Sequence, residues 1–400
     1  MNELILIEWA QMAIRWLHVV AGIAWIGSSF YFVHLDLSLK RAADSADGTQ
    51  GEAWQVHGGG FYHMVKYLVA PARMPSELTW FKWEAYATWL SGFALLAVVY
   101  YLGADLFLVD HDGLDLLPWQ AVLISIAGLV LPWLGYEAIC RSPIGKQENA
   151  LAGLLYVMLV ALALLFAFLF NGRGAFIQIG ALIGTMMVAN VFAVIIPNQR
   201  KVVASLLAGQ APDPSLGKQA KQRSVHNNYL TLPVVFVMIS NHYPLLYGTR
   251  FNWLIIAIVL LLGPLIRHFF NARHAGKPSP WWTWGVAALG MIAIAFLSAQ
   301  GPRHAQTTGS LPTPTNFAAV EEIVNGRCAM CHSAEPVWDG IAVAPKGVQL
   351  DSPQAILRNA GQIGIAAAHS SAMPPGNITS ISSEERQILA TWISAGATSR

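Results

Sequence analysis

Charged residues are scarce in this sequence. Only 12% of its 400 residues are charged and 55% are hydrophobic, whereas soluble globular domains average about 25% charged residues. This shortage excludes an ordinary soluble protein and predicts a membrane protein.

Apolar runs long enough to cross a bilayer, about 20 residues each, recur about eight times. We expect them near 9–33, 83–102, 117–136, 150–170, 175–196, 229–247, 251–270 and 281–297. The sixth run is interrupted by prolines and polar residues. The predicted fold class is therefore all-α: a polytopic membrane bundle of about eight transmembrane helices, followed by a smaller helical domain.

The first run lacks the features of a cleaved signal peptide. Its start, MNELILIEW, carries acidic residues where a signal would carry Lys or Arg, so we expect it to remain as the first helix. Basic residues are also scarce in the loops after the second, fourth and sixth runs, which hold only Arg173 and Arg250. The positive-inside rule then places both termini outside the cytoplasm.

Composition changes after the last apolar run. Residues 301–316 are rich in Pro, Ser, Thr and Gly, which is typical of an extended linker. The predicted organisation is a membrane domain over 1–300, a linker over 301–316 and a small domain over 317–400. A covalent cofactor would supply apolar bulk that so small a domain lacks.

The small domain contains the motif Cys-x-x-Cys-His. Cys328 and Cys331 are spaced to form thioether bonds to a haem, and the adjacent His332 is placed to ligate its iron. A redox dithiol or half of a zinc site is the alternative. Only Cys140 is left as a further cysteine, so a zinc site lacks a second ligand pair. The motif predicts one covalent haem c.

The second axial ligand of this iron is expected from the segment SAMPPGN, residues 371–377. Met373 carries a thioether that suits haem iron, and His369 is the alternative. Ser382 and Glu385 form a predicted capping box at the start of the last helix. The small domain is thus predicted to be class I cytochrome c-like, with His332 and Met373 as iron ligands. Covalent attachment of haem takes place outside the bacterial cytoplasm, in agreement with the loop charges.

Polar residues within the apolar runs mark candidate catalytic positions. His18 in the first run and His242 at the end of the sixth reach similar depths, and they are candidates for the ligands of a b-type haem, for substrate binding or for proton transfer. Hydrogen bonding within the bundle is the alternative for each. His226 and Asn227 lie at the cytoplasmic edge of the sixth run, and Lys66 lies in an aromatic, basic loop that suits either a planar anion or lipid headgroups.

Three segments of the membrane part, GGGFYHMVKY, LTWFKWEAYATWLSGF and SVHNNYLTLPVVFVMISNHYP, occur in this order before the CAMCH motif. Together they make the whole chain resemble the membrane-bound, cytochrome-c-fused urate oxidases, the PuuD urate hydroxylase family. The resemblance implies oxidation of urate to 5-hydroxyisourate in purine catabolism. It also implies transfer of electrons through the chain's own haem c to a soluble or membrane cytochrome c or a terminal oxidase.

The expected location is the inner membrane of a bacterium, in contact with lipid, with the haem domain on the periplasmic side and no nucleic-acid partner. His226, Asn227, His242, His18 and Lys66 form the pool from which we expect the catalytic residues. An alternative is a membrane-anchored cytochrome c subunit that carries electrons for a quinol dehydrogenase or another dehydrogenase. A purine transporter is a further alternative, but the sequence shows no convincing internal repeat of the kind transporters have.

Overall fold

The computed structural model describes residues 3–41, 48–68, 75, 77–302 and 316–399. These residues are mostly helical. Most of the predicted linker 301–316 lies outside the described residues.

Helices occupy all eight predicted positions. The described residues up to 302 contain eleven α-helices: α1 (Glu3–Ser38), α2 (Trp83–Leu95), α3 (Ala104–Phe107), α4 (Pro118–Arg141), α5 (Glu148–Leu169), α6 (Gly172–Ala189), α7 (Ile196–Leu207), α8 (Pro214–Ile239), α9 (Pro244–Tyr247), α10 (Asn252–His274) and α11 (Trp282–Ser298).

Among the described residues, five helical stretches are long and apolar enough to cross a membrane. They are Ile5–Ser38, Pro118–Arg141, Glu148–Leu169, Gly172–Leu207 and Asn252–His274. Helix α1 shows why such a helix suits a lipid environment: Trp16 is 67% exposed and Ile23 is 66% exposed. Apolar surface of this extent is stable where lipid covers it.

The sixth predicted run differs from the structure at its end. Helix α8 begins earlier, at Pro214, and ends at Ile239, and a short turn over Ser240–His242 follows before α9. Pro233 lies inside α8 and packs on Gly263 of α10, where a Cβ atom would collide with the proline ring. Glycine at position 263 therefore lets α10 approach a helix that contains a proline.

A β-hairpin is the feature that the all-α prediction missed. Strands β1 (Thr49–His57) and β2 (Gly60–Tyr67) pair antiparallel, with His57 opposite Gly60. The two residues between them, Gly58 and Gly59, have φ of 60° and 80°, which is the conformation of a type I′ turn. The described part of the first loop, which includes Lys66, is therefore a hairpin.

Residue contacts divide the chain into two compact units. Unit 1 comprises Met1–Leu96, Ala181–Val235 and Leu260–Ala288, and unit 2 comprises Ala97–Gly180, Phe236–Val259 and Leu289–Arg400. The predicted small domain 317–400 is therefore grouped with parts of the preceding chain, because its loops bond to residues of 97–180 and 236–259.

The described C-terminal residues 316–399 contain four α-helices: α12 (Phe317–Arg327), α13 (Pro353–Arg358), α14 (Ala360–Ile363) and α15 (Ser383–Ser394). Val320 of α12 and Leu389 of α15 are fully buried in one apolar cluster. The predicted capping box is confirmed: Ser382 accepts from the Glu385 backbone N–H, and the Glu385 carboxylate accepts from the Ser382 backbone N–H.

Candidate functional site

The Cys-x-x-Cys-His motif forms a tight turn directly after α12. The backbone N–H groups of Cys331 and His332 both donate to the carbonyl oxygen of Cys328, at 3.2 and 2.9 Å. The His332 ring contacts the carbonyl oxygen of Val348 through Nδ1 at 2.8 Å. Because a carbonyl only accepts, Nδ1 carries the proton, which leaves the lone pair of Nε2 available to a metal.

The two thiols of the motif are not joined in a disulfide. Burial raises the pKa of the Cys328 thiol to about 11 and also raises the pKa of Cys331. Reactive dithiols require lowered pKa values, since the thiolate is the nucleophile. These environments therefore disfavour the redox-dithiol interpretation. In the described part of the chain, no three His, Cys, Asp or Glu side chains are grouped to hold a metal ion.

Met373 and the alternative His369 differ in their surroundings. Met373 is half-buried and packs against the same apolar cluster as Cys328, whereas His369 is exposed. The buried Arg386 holds the loop in place by donating to the carbonyl oxygens of Ala367, Ser370 and Met373.

The loop that carries Met373 is also bound to earlier segments of unit 2. The His111 backbone N–H donates to the carbonyl oxygen of Gly376 at 2.9 Å, and the Ser371 backbone N–H donates to that of Gly248 at 2.9 Å. Gly376 has φ of 57°, and a Cβ atom there would collide with the Val109 carbonyl. Glycine is therefore required at this contact.

His18 of α1 packs against α2 in unit 1. Its Nδ1 lies 2.9 Å from the carbonyl oxygen of Thr88 and 3.3 Å from the hydroxyl of Ser91. A Cβ atom on Gly92 would come within 2.8 Å of the ring. His242, by contrast, is exposed in the turn after α8 and belongs to unit 2.

The other predicted catalytic residues lie in unit 1. Asn227 is buried and hydrogen-bonded through both side-chain polar atoms. Its Nδ2 donates to the Met187 carbonyl at 2.9 Å, and its Oδ1 accepts from Nδ2 of Asn190 at 2.9 Å. His226, its neighbour on α8, is half-buried. Lys66 on β2 forms an ion pair with Asp36 of α1 at 2.6 Å, so its charge is already balanced.

Unit 1 also contains a polar cluster that was not predicted from the sequence. Arg267 of α10 donates through Nε to the side-chain oxygen of Asn228 at 3.1 Å, and Asn271 donates to the same oxygen at 2.8 Å. His274 of α10 contacts His34 of α1, with ring centroids 4.4 Å apart. The spacing of residues 267, 271 and 274 places them on one face of a helix, but nothing in the sequence pairs that face with Asn228 or His34.

Comparisons with known proteins give one match. The model of a family described as "Urate oxidase N-terminal" matches residues 4–298, a range that includes every helix from α1 to α11 apart from the first residue of α1. Comparisons with curated proteins and with solved structures find no match. Because the matched range covers well over half of the 400 residues, the chain belongs to the urate oxidase N-terminal family.

Proposed function

We propose that this protein is a membrane-bound urate hydroxylase that passes electrons through a C-terminal c-type haem. The family match over 4–298 carries the proposal, since it supports an oxidoreductase that acts on urate. The five apolar stretches support a membrane location. We further propose that the chain crosses a bacterial inner membrane eight times, with the C-terminal part on the periplasmic side.

The residues of the C-terminal part fit a covalent haem. Cys328 and Cys331 are free to form the thioether bonds, His332 has the tautomer that leaves Nε2 to bind iron, and Met373 lies on the apolar cluster as the second ligand. When bound, a haem c accepts and releases one electron at a time.

The reaction that we propose is balanced without dioxygen. Urate and one water give 5-hydroxyisourate, two protons and two electrons, and the new hydroxyl oxygen comes from water. The electrons leave singly to a soluble or membrane cytochrome c, or to a terminal oxidase. Urate is anionic and planar at neutral pH, so the protein must supply a cation, hydrogen bonds and a proton acceptor.

His226, Asn227, His242, His18 and Lys66 remain the proposed pool for these roles. The contacts of these residues favour structural roles for some of them and chemical roles for others. Asn227 is engaged by two hydrogen bonds within unit 1 and Lys66 is paired with Asp36, which favours structural roles for both. His18 and His226 are half-buried histidines of the kind that serve as a proton acceptor. Ligation of a b-type haem by His18 is part of the same proposal.

Anaerobic addition of urate to the purified protein tests the proposed function. The expected result is reduction of the haem, seen as the sharpened absorption bands of a ferrous c-type cytochrome, with formation of 5-hydroxyisourate. If urate leaves the haem oxidised while a quinol reduces it, the protein is instead an electron-transfer subunit for a quinol dehydrogenase.

A further inference from the structure

Three helices of unit 1 bring a buried cationic cluster together. Arg267 and Asn271 come from α10 and Asn228 comes from α8. Phe30 of α1 lies under the Arg267 guanidinium, 3.8 Å from its ring centroid. Arg267 is only 5% exposed and Asn228 only 1% exposed, so these polar groups are removed from solvent.

Several buried polar atoms of this cluster have no hydrogen-bond partner among the described residues. Within the described part of the chain, Nη2 of Arg267 and Nδ2 of Asn228 are buried donors without an acceptor, and Oδ1 of Asn271 is a buried acceptor without a donor. Buried polar atoms in native proteins nearly always have partners. Two donors and one acceptor on neighbouring side chains therefore point to a ligand that carries the complementary groups.

The positive charge of Arg267 also indicates that the cluster binds a ligand. No carboxylate among the described residues forms an ion pair with Arg267, which bonds to Asn228 and lies against the ring of Phe30. A guanidinium taken out of water needs a counter-charge. The missing partner is thus an anion.

Two histidines adjoin these residues along the same helices. His274 lies seven residues after Arg267 on α10, and His34 lies four residues after Phe30 on α1, so each shares a helix face with its partner. Their rings are in edge-to-face contact, and the Nδ1 atoms of both are buried without a partner among the described residues. They add flat surface and further hydrogen-bonding atoms.

We propose that this cluster, formed by Arg267, Asn228, Asn271, His34 and His274, is the binding site for a planar, anionic, hydrogen-bonding heterocycle. The inference rests on the proposed function, under which that heterocycle is urate. Nη2 of Arg267 and Nδ2 of Asn228 donate to its oxygens, and Oδ1 of Asn271 accepts from a ring N–H. The site then lies on α1, α8 and α10, and not on the strand residue Lys66.

Two substitutions test the site in the full-length, haem-loaded protein. Arg267→Gln removes the charge and keeps a similar length. Asn228→Asp places a carboxylate where the Asn228 oxygen now contacts Arg267, which supplies the counter-charge from within the protein and repels an anion. Arg273→Gln is the matched control, because Arg273 lies on the same helix and is exposed.

The measurement is equilibrium binding of radiolabelled urate under anaerobic conditions, with adenine as an uncharged planar competitor. Arg267→Gln and Asn228→Asp should each weaken urate binding at least about tenfold, as expected for loss of a charge-assisted hydrogen bond. Arg273→Gln should bind within about twofold of wild type, and adenine should not compete. Reduction of the haem by dithionite should be unchanged in all variants.

The outcomes separate this inference from the proposed function. Failure of the wild-type protein to bind urate overturns both. Binding of urate without reduction of the haem overturns the proposed function alone. If the wild-type protein binds urate and Asn228→Asp binds it equally well, the cluster is structural and the inference alone is overturned. If Arg267→Gln does not fold, Asn228→Asp decides, since it preserves the shape of the side chain.

Discussion

Asn377 donates from its side-chain amide to both carboxylate oxygens of Asp112, at 2.8 Å each. The two residues are far apart in sequence but lie in the same compact unit. Asn377 follows Met373 by four residues, so this contact fixes the loop that carries the proposed iron ligand to the loop after α3. Asn377 also closes its own turn by donating to the Ile381 carbonyl at 3.1 Å.

Asn377→Ala should loosen this attachment. A hydrogen bond to a charged group contributes about 1.5–3 kcal/mol, and the substitution leaves the Asp112 carboxylate without this donor. We expect a lower thermal midpoint for the loss of the haem absorption spectrum, and slower reduction of the haem by urate. Asn325→Ala is the control, because Asn325 is exposed on α12. Equal melting of the two variants would contradict the role given to the contact.

Sequence reasoning located the helices well because their signals are local. Apolar runs set the positions of the helices, and the capping box of Ser382 and Glu385 needs only residues three apart. The hairpin was missed although Gly58 and Gly59 are a two-residue turn signal, since the membrane composition favoured helices everywhere. The end of α8 was misplaced because the predicted sixth run continues on both sides of Asn241 and His242.

The buried cluster of α1, α8 and α10 could not have been found in the same way. Arg267 is one of several basic residues near a predicted helix end, and its sequence neighbourhood fits a residue that reaches toward water. Only the packing of three helices that are distant in sequence shows that it is buried and bonded to Asn228. Tertiary contacts of this kind have no signal in a single sequence.

Arg386→Gln should disturb the loop of Met373. Burial lowers the pKa of Arg386 to about 10, so the side chain is still charged at neutral pH and bonds three backbone carbonyls of the loop. Glutamine cannot reach all of them, and stability should fall by about 2 kcal/mol.

The specific readout for Arg386→Gln is the charge-transfer band of methionine-ligated ferric haem, which should weaken while the haem remains attached. Arg358→Gln, at an exposed position of α13, should keep the band. A full band in Arg386→Gln would show that the loop does not depend on this arginine.

Removal of the thioether sulfurs tests the cofactor directly. Cys328→Ser and Cys331→Ser together should abolish covalent haem, so that peroxidase staining after a denaturing gel disappears. Cys140→Ser is the matched control, because Cys140 is the third cysteine and lies at the end of α4, outside the motif. Staining should be retained there. Covalent haem in the double variant would exclude attachment at this motif.

Gly92→Ala tests the packing of His18 between α1 and α2. The added Cβ would lie 2.8 Å from Cε1 and 3.2 Å from Nδ1 of His18, so the ring must move and lose its bond to Thr88. Overpacking of this kind costs about 1–3 kcal/mol. Gly27→Ala on α1 meets no atom within 4 Å and should be neutral or slightly stabilising, because alanine favours the helix.

The same pair of glycine variants tests the proposed b-type haem. A pyridine haemochrome assay on the wild-type protein should report b-type haem beside c-type haem if His18 is an iron ligand. Gly92→Ala should then lose the b-type signal and keep the c-type signal, while Gly27→Ala keeps both. A wild-type protein with c-type haem alone removes the ligand role of His18, because no second haem is then present. The stability loss in Gly92→Ala would remain, since it depends only on the contact between the ring and Gly92.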